Sequence, residues 1–210
     1  MKSPRILVVA VLLAVLAVVP ALAGTAYKVD PVHTSLEFTI SHMGVSCVWG
    51  RFNTVEGTYV LDDRNDAGNT CSITVDAASV DTHVAKRDEH LRSEHFFNVA
   101  KFPRITFVSK SLKKLGPKKG KITGDLTLLG VTKTISAPVT MTGEGPDPWS
   151  GYRTGFSTEF TINRSDFGMM TDLPKMLGDT VHLTMCMEGV RPLEAPPAAL
   201  TPWKKGKPGK

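Results

Sequence analysis

Apolar and polar residues alternate with a period of two along most of the chain after residue 24. The alternation is clearest in residues 35–41, 72–76, 122–128, 156–162 and 181–187. Such a pattern predicts β-strands with one apolar and one polar face. Roughly eight such segments occur, joined by short connections rich in Gly, Pro, Asn and Asp, which is typical of an antiparallel sandwich or barrel.

One stretch breaks this pattern. Residues 81–98 read DTHVAKRDEHLRSEHFFN and favour a short helical insertion near residues 83–97, which Asp81 and Thr82 could cap. We expect the insertion to join two strands, with its apolar residues buried against the barrel and its charged residues making polar contacts that fix its position. The apolar set is Leu91, Phe96 and Phe97, and the charged set is Arg87, Asp88 and Arg92.

Both ends of the chain differ from its middle. Lys2 and Arg5 precede an apolar run over residues 6–19, and Ala21-Leu22-Ala23 resembles a cleavage site, so residues 1–23 predict an export signal. Residues 24–190 then form one domain, and the Pro- and Lys-rich residues 191–210 predict a disordered tail. The predicted location is periplasmic or secreted.

The positive net charge of +5 at pH 7 belongs mainly to the two ends. Lys2, Arg5 and the four lysines of the ending WKKGKPGK account for it, and the residues between them carry nearly equal numbers of acidic and basic groups. A nucleic-acid-binding fold would carry a basic stripe. We therefore expect no nucleic-acid partner, although the lysine-rich tail could make weak contact with an anionic membrane surface.

Three cysteines, Cys47, Cys71 and Cys186, lie far apart in the sequence with no CxxC pair. This spacing is unlike a zinc knuckle or a thioredoxin-type site. An exported protein could form one disulfide from them, and all three pairings stay open. Strand parity places Cys71 on an apolar face and Cys186 on a polar one, which disfavours that pair.

The sequence offers little evidence of a catalytic site. His83, His90 and His95 lack the i, i+4 spacing that places two imidazoles on one helical face, and no G-x-S-x-G motif occurs. A metal-assisted hydrolase or sensor that uses these histidines is the alternative hypothesis. The favoured expectation is a protein that is not an enzyme and needs no metal or cofactor.

The apolar strand faces are rich in Phe and Met, and small residues such as Gly124, Ala77 and Gly155 interrupt them. A closed barrel of about eight strands is just wide enough to hold one small ligand. Alternation cannot distinguish a filled interior from a hollow one, so a sandwich core and a ligand cavity both stay open at this point.

Five motifs, in order, resemble the YceI-like family of exported polyisoprenoid-binding proteins. They are YKVDPVHTSLEFTISHMG, WGRFNTVEGTYVLDD, ASVDTHVAKRDEHLRSEHFFNVAKFPRITFVSKSL, GDLTLLGVTKTI and INRSDFGMM. The resemblance implies an elongated, lipocalin-like antiparallel β-barrel. It also implies a long apolar cavity for an extended amphiphile such as a polyisoprenoid or an isoprenoid quinone.

The expected ligand-binding residues follow from parity on the predicted strands. The lumen set is Phe38, Ile40, Phe52, Ile73, Val75, Phe107, Leu126, Leu128, Phe156 and Phe160. His42, Arg51 and Arg164 are candidates for contact with a polar head group near the mouth. A homodimer formed through the open end is a further possibility.

Overall fold

A computed structural model of the protein describes residues 24–149 and 151–191. This part of the chain forms eleven β-strands in a single sheet and one α-helix. The strands are β1 (Thr25–Val29), β2 (Ser35–His42), β3 (Ser46–Phe52), β4 (Val55–Leu61), β5 (Thr70–Asp76), β6 (Val80–Asp81), β7 (Arg104–Lys114), β8 (Lys119–Leu128), β9 (Val131–Pro146), β10 (Tyr152–Asn163) and β11 (Leu177–Val190). The helix is α1 (Ala85–Arg92).

The sheet closes into an eight-stranded antiparallel barrel because β1 pairs with both β4 and β11. The strand order around the barrel is β1, β4, β5, β7, β8, β9, β10 and β11. Closure removes the exposed sheet edges that an open sheet would present. The predicted all-β barrel with one helical insertion is therefore confirmed.

The remaining strands, β2, β3 and β6, extend three of the barrel strands along the same lines. β1 and β2 both pair with β11, through Val29 opposite Gly189 and Ser35 opposite Cys186. In the same way, β3 and β4 lie end to end beside β2 and β1, and β6 and β5 lie end to end beside β3 and β4. The first three long strands are thus each broken once, which lengthens the barrel on one side.

The two ends of the barrel have different connections. The helical end, as we call it, carries the β2–β3 turn, residues 82–103 with α1, the β8–β9 turn and residues 164–176 between β10 and β11. The opposite end carries the β4–β5, β7–β8 and β9–β10 connections. Most of the chain that is not strand therefore lies at the helical end.

Inward-facing side chains on several strands keep part of their surface accessible. Phe38, Phe107, Leu126, Phe156 and Phe160 face the interior yet are only half-buried. A filled core would bury such residues almost completely, because protein interiors pack as densely as organic crystals. The barrel is therefore hollow.

Two glycines allow aromatic rings to lie flat against the inner wall. A Cβ at Gly124 would stand 2.5 Å from the Phe107 ring, and one at Gly50 would stand 2.4 Å from the Phe38 ring. Any larger residue at either position would push the ring into the interior. These small residues therefore preserve open space along the barrel axis.

The helical insertion is shorter than predicted, and it is not capped by Asp81 or Thr82. The N-cap residue is Val84, whose side chain makes no capping bond, and the Asp81 carboxylate instead accepts from the His83 amide at 2.9 Å. The helix ends because the Ser93 hydroxyl donates to the His90 carbonyl at 2.7 Å, a local bond that competes with further helical turns.

The two predicted domain boundaries, after residues 23 and 190, lie at or next to the ends of the described residues. The predicted export signal, residues 1–23, lies outside the described residues, and so does the predicted tail from residue 192 onward. Arg191 is described and belongs to the fold: its amide donates to the Tyr152 carbonyl at 2.9 Å. Within the described ranges no helix has the length and apolar character needed to cross a membrane.

Candidate ligand-binding cavity

A cavity of about 250 Å³ occupies the barrel interior. Aliphatic and aromatic side chains from the barrel strands and the helical insertion form most of its wall. The structure places all ten residues of the predicted lumen set on this wall: Phe38, Ile40, Phe52, Ile73, Val75, Phe107, Leu126, Leu128, Phe156 and Phe160. The cavity is suited to an apolar chain, since few of the groups on its wall need a hydrogen-bond partner.

A second space of about 600 Å³ adjoins the first at the helical end. We call it the vestibule. It shares the wall residues Phe38, Ile40, Leu91, Phe96 and Leu177 with the lumen, so the two spaces meet along the inner face of the helical insertion. Its other wall residues are more polar and include His42, Trp49, His83, Arg87, His90 and Asp172.

The vestibule lies beside a gap in the sheet. β3 pairs with β6 only through Arg51 and Phe52, so residues 46–50 have no strand on that side. The helical insertion lies there instead, without continuing the ladder of backbone hydrogen bonds. Side chains separate more readily at such a contact than at paired strands.

The helical insertion is fixed to the barrel by polar contacts at three positions. The buried Asp88 carboxylate accepts from the amide and hydroxyl of Thr82, at 2.9 and 2.5 Å. Arg87 donates to the Thr82 hydroxyl and carbonyl, at 2.7 and 2.8 Å. Arg92 donates to the carbonyls of Ala78 and Val80, at 2.7 and 2.8 Å.

The apolar residues of the insertion lie on the lumen wall. Leu91, Phe96 and Phe97 all contribute to it, and Phe96 is almost fully buried. The Phe97 ring meets the Phe52 ring edge to face, with centroids 5.5 Å apart. The insertion therefore closes part of the helical end of the lumen.

The three head-group candidates lie in different places. His42 lines the vestibule, and Arg164 is buried on the lumen wall. Arg51 lies on the opposite face of β3 from the inward Phe52, is exposed, and lines neither space. The structure thus brings Arg164 to the lumen and leaves Arg51 outside it.

A cluster of tyrosines fills the interior near the opposite end. The rings of Tyr27 and Tyr59 stack with centroids 5.2 Å apart, and the Tyr59 hydroxyl forms a short hydrogen bond with the buried Thr154 hydroxyl. Burial raises the pKa of Tyr59, so its hydroxyl stays neutral. Strand parity could not reveal this cluster, because the bond joins residues that are distant in the sequence.

The three histidines of the alternative hypothesis do not form a group that could hold a metal ion in the described residues. His83, His90 and His95 are exposed, and the rings of His90 and His95 meet edge to face with centroids 5.6 Å apart. Across residues 24–149 and 151–191, the one group of three or more side chains that could hold an ion is Asp30, His33 and Glu188. The Arg153 guanidinium already binds both carboxylates of that group.

Arg153 forms a charged cluster that sequence reasoning missed. It donates to Asp30 at 2.7 Å and to Asp147 at 3.0 Å, and it also pairs with Glu188. These hydrogen bonds raise the pKa of Arg153, and bonds from His33 and Arg153 hold the pKa of Asp30 far below its usual range. The cluster joins β10, β11 and the residue after β1.

The three cysteines are free and occupy different surroundings. Cys47 and Cys186 are exposed, whereas Cys71 lies on the lumen wall. Burial raises the pKa of the Cys71 thiol to about 11, which keeps it neutral at physiological pH. The structure therefore contains none of the possible disulfides.

Comparison with known proteins gives consistent matches. The model of the YceI-like domain matches residues 27–188. A UPF0312 protein of Pectobacterium atrosepticum is 44% identical over 177 residues, which cover 81% of this chain and 91% of the relative. A UPF0312 protein of Yersinia pestis is 43% identical over 167 residues, covering 79% and 86%.

Solved structures share the fold. Burkholderia cenocepacia BcnA has a TM-score of 0.69 at 24% identity, covering 76% of this chain and 98% of the other. The Campylobacter jejuni YCEI protein gives 0.63 at 30% identity, covering 72% and 90%. A polyisoprenoid binding domain from Saccharophagus degradans gives 0.63 at 16% identity, covering 80% and 99%.

Proposed function

Because the chain belongs to the YceI-like family, we propose that its barrel carries or stores a long amphiphilic lipid. The ligand class is a polyisoprenoid or an isoprenoid quinone, with its chain in the lumen. Binding requires no catalytic step, so the proposed role is not that of an enzyme.

The observation that carries this proposal is a hollow lumen with an almost entirely apolar wall. Each CH₂ group removed from water contributes about 0.8 kcal/mol. A long isoprenoid chain therefore gains most of its binding free energy from burial alone, and a wall of Phe, Leu, Ile and Val provides that burial. Polar substrates would leave their hydrogen-bonding groups unpaired against the same wall.

The comparisons support the same ligand class. The Saccharophagus degradans neighbour is described as polyisoprenoid binding, and it shares this barrel fold. At this low sequence identity the two proteins share only the fold. The apolar lumen of the present chain supports the ligand class independently.

The cellular location is part of the proposal. The leader-like residues 1–23 favour export to the periplasm or the medium, where a water-insoluble lipid needs a protein to shield it. The helical end, with its vestibule, is the proposed entry. Two exposed aromatic and aliphatic side chains beside it, Trp49 and Met176, are suited to contact with a lipid or with the same end of a second copy.

Organic extraction of the purified protein, followed by mass spectrometry, tests the proposal. We expect a long-chain lipid in near-stoichiometric amount. Leu126→Trp, which fills part of the lumen, should reduce the yield several-fold, since less apolar space is left for the chain. Val108→Trp places the same ring on the exposed outer face of the adjacent strand and should retain the wild-type yield. Recovery of no lipid from wild type, and no binding of added lipid, would contradict the proposal.

A further inference from the structure

Arg164 is the buried charged residue whose hydrogen bonding is incomplete. It follows β10 directly, is only 2% exposed, and lies on the lumen wall. Its Nε donates to the Gly178 carbonyl at 2.8 Å, and its Nη1 donates to the carbonyls of Met169 and Thr171 at 3.2 and 2.7 Å. Its Nη2 is buried and has no hydrogen-bond partner in the part of the chain that the structure describes.

The charge of Arg164 is also unpaired within that part of the chain. Its three hydrogen-bond partners are backbone carbonyls, and no carboxylate oxygen of residues 24–149 or 151–191 lies within the 4.0 Å of an ion pair. The charges of Asp179 and Asp172 both act on Arg164, but neither carboxylate forms an ion pair with it, and that of Asp179 is bound by the amide and hydroxyl of Ser165, at 2.9 and 2.7 Å. A buried cation without a carboxylate in direct contact is costly, and burial lowers the pKa of Arg164 despite the two nearby carboxylates.

The position of Arg164 matches the polar end of a bound amphiphile. Met169 and Leu177 share the lumen wall with it, and Leu177 also borders the vestibule. Arg164 therefore lies where the lumen adjoins its proposed entry, away from the tyrosine cluster. A chain that enters by its apolar end would extend toward that cluster and leave its head group near Arg164.

We propose that Arg164 binds an anionic head group, a carboxylate or a phosphate, on the amphiphile whose chain occupies the lumen. This rests on the proposed lipid-binding function and narrows it from amphiphiles in general to anionic ones. The head group accepts hydrogen bonds from Nη2, once the packing that covers this nitrogen opens toward the lumen, and places a negative charge in direct contact with the guanidinium. A neutral alcohol can also accept hydrogen bonds from Nη2 but brings no negative charge into contact with the guanidinium.

Matched pairs of ligands test the preference in the wild-type protein. One pair is geranylgeranyl phosphate and geranylgeraniol, and the other is oleate and oleyl alcohol, which separates phosphate from carboxylate lipids. Titration should show that each anion binds at least about ten-fold more tightly than its alcohol, because only the anion adds attraction between opposite charges to the hydrogen bonds that both ligands can accept. The preference should persist at 0.5 M NaCl, because salt screens a buried pair weakly.

Two variants test whether the preference for anions depends on Arg164. Arg164→Gln keeps a hydrogen-bonding side chain without charge, and it should lose most of the anion preference while it still binds the alcohols. Arg51→Gln removes an exposed arginine on the outer face of β3 and should retain the preference in full. Circular dichroism verifies that each variant folds; if Arg164→Gln does not fold, the wild-type salt series decides.

The outcomes separate this inference from the proposed function. Equal binding of alcohols and anions, or an anion preference that disappears at high salt, would overturn the role of Arg164 and leave lipid binding intact. An anion preference that survives in a folded Arg164→Gln variant would also overturn it. Failure of all four ligands to bind would overturn the proposed function itself.

Discussion

Buried polar side chains in the described barrel are almost all paired within the protein. They are Asp62, Asn69, Thr82, Asp88, Thr154 and Arg164. The first five bind neighbouring amides, hydroxyls or charged side chains, which is the ordinary state of buried polar groups. Arg164 differs because one of its nitrogens is left without a partner, and that difference points to a ligand rather than to a structural role alone.

Asp88 shows how strongly one such residue can hold an element. Asp88→Ala removes the acceptor of two Thr82 donors, and the buried amide of Thr82 is then left unpaired. We expect the free energy of unfolding to fall by about 1–3 kcal/mol, measured by urea denaturation. Glu89→Ala, an exposed position on the same helix, should change it by less than about 0.5 kcal/mol. Equal losses for the two variants would show that Asp88 is no more important than a surface residue.

The Cys71 thiol offers a direct chemical probe of the lumen. Its pKa of about 11 lies two units above that of an ordinary thiol, so its reactive thiolate is about a hundred-fold rarer at pH 8. We expect iodoacetamide to modify Cys47 and Cys186 first and Cys71 much more slowly, as followed by peptide mass spectrometry. Bound lipid should slow Cys71 further. Rapid labelling of Cys71 in the folded, lipid-loaded protein would contradict its placement on the lumen wall.

At the scale of elements, the position of the helical insertion agrees with the sequence-based prediction, whereas its length does not. Its position between two strands and the inward Leu91, Phe96 and Phe97 could be predicted, because composition and propensity there contrast sharply with the strands. Its shorter length could not, because Ser93 and Asp81 bind local backbone groups in ways that depend on the folded path. Local hydrogen bonds, rather than helix propensity, set both ends of α1.

Because Phe96 borders both the lumen and the vestibule, the insertion is placed to act as a lid. Phe96→Ala removes a ring that is 5% exposed and opens the contact between the two spaces. We expect lipid to exchange several-fold faster than in wild type, measured by transfer of a fluorescent fatty acid to vesicles. Val84→Ala, an exposed change just before α1, should leave the rate unchanged. Wild-type exchange in Phe96→Ala would identify the insertion as scaffold alone.

At the scale of the whole molecule, β1 itself makes few backbone pairs with β11, and β2 continues the pairing along β11. β1 pairs with β11 only through Lys28 opposite Val190 and Val29 opposite Gly189. Strand parity could predict which side chains face inward within regular stretches of strand, where inward and outward residues alternate; at the irregularity between Ser109 and Ser111 on β7 the inward parity changes. It could not predict this closure, the breaks in the first three long strands, or the Arg153 cluster, since each depends on contacts between residues far apart in the sequence.

The Arg153 cluster reinforces the short β1–β11 pairing, and the stability that this cluster contributes should depend on pH. Bonds from His33 and Arg153 hold the pKa of Asp30, which directly follows β1, below its ordinary value. A carboxyl with a depressed folded-state pKa contributes stability above its unfolded pKa of about 4, and that contribution is lost as the pH falls further. Protonation of Asp30 therefore favours the unfolded state.

We accordingly expect the urea midpoint of wild type to fall between pH 5 and pH 2, and to fall less steeply in Asp30→Asn. The comparison isolates the contribution of the Asp30 carboxyl, because the substitution removes that titrating group and leaves the other carboxyl groups in the chain. Asp63→Asn serves as the control: Asp63 is largely exposed and lies 3.6 Å from Lys114, so its removal should leave the wild-type slope unchanged. Identical slopes for wild type and Asp30→Asn would show that the β1–β11 closure does not depend on this charged cluster.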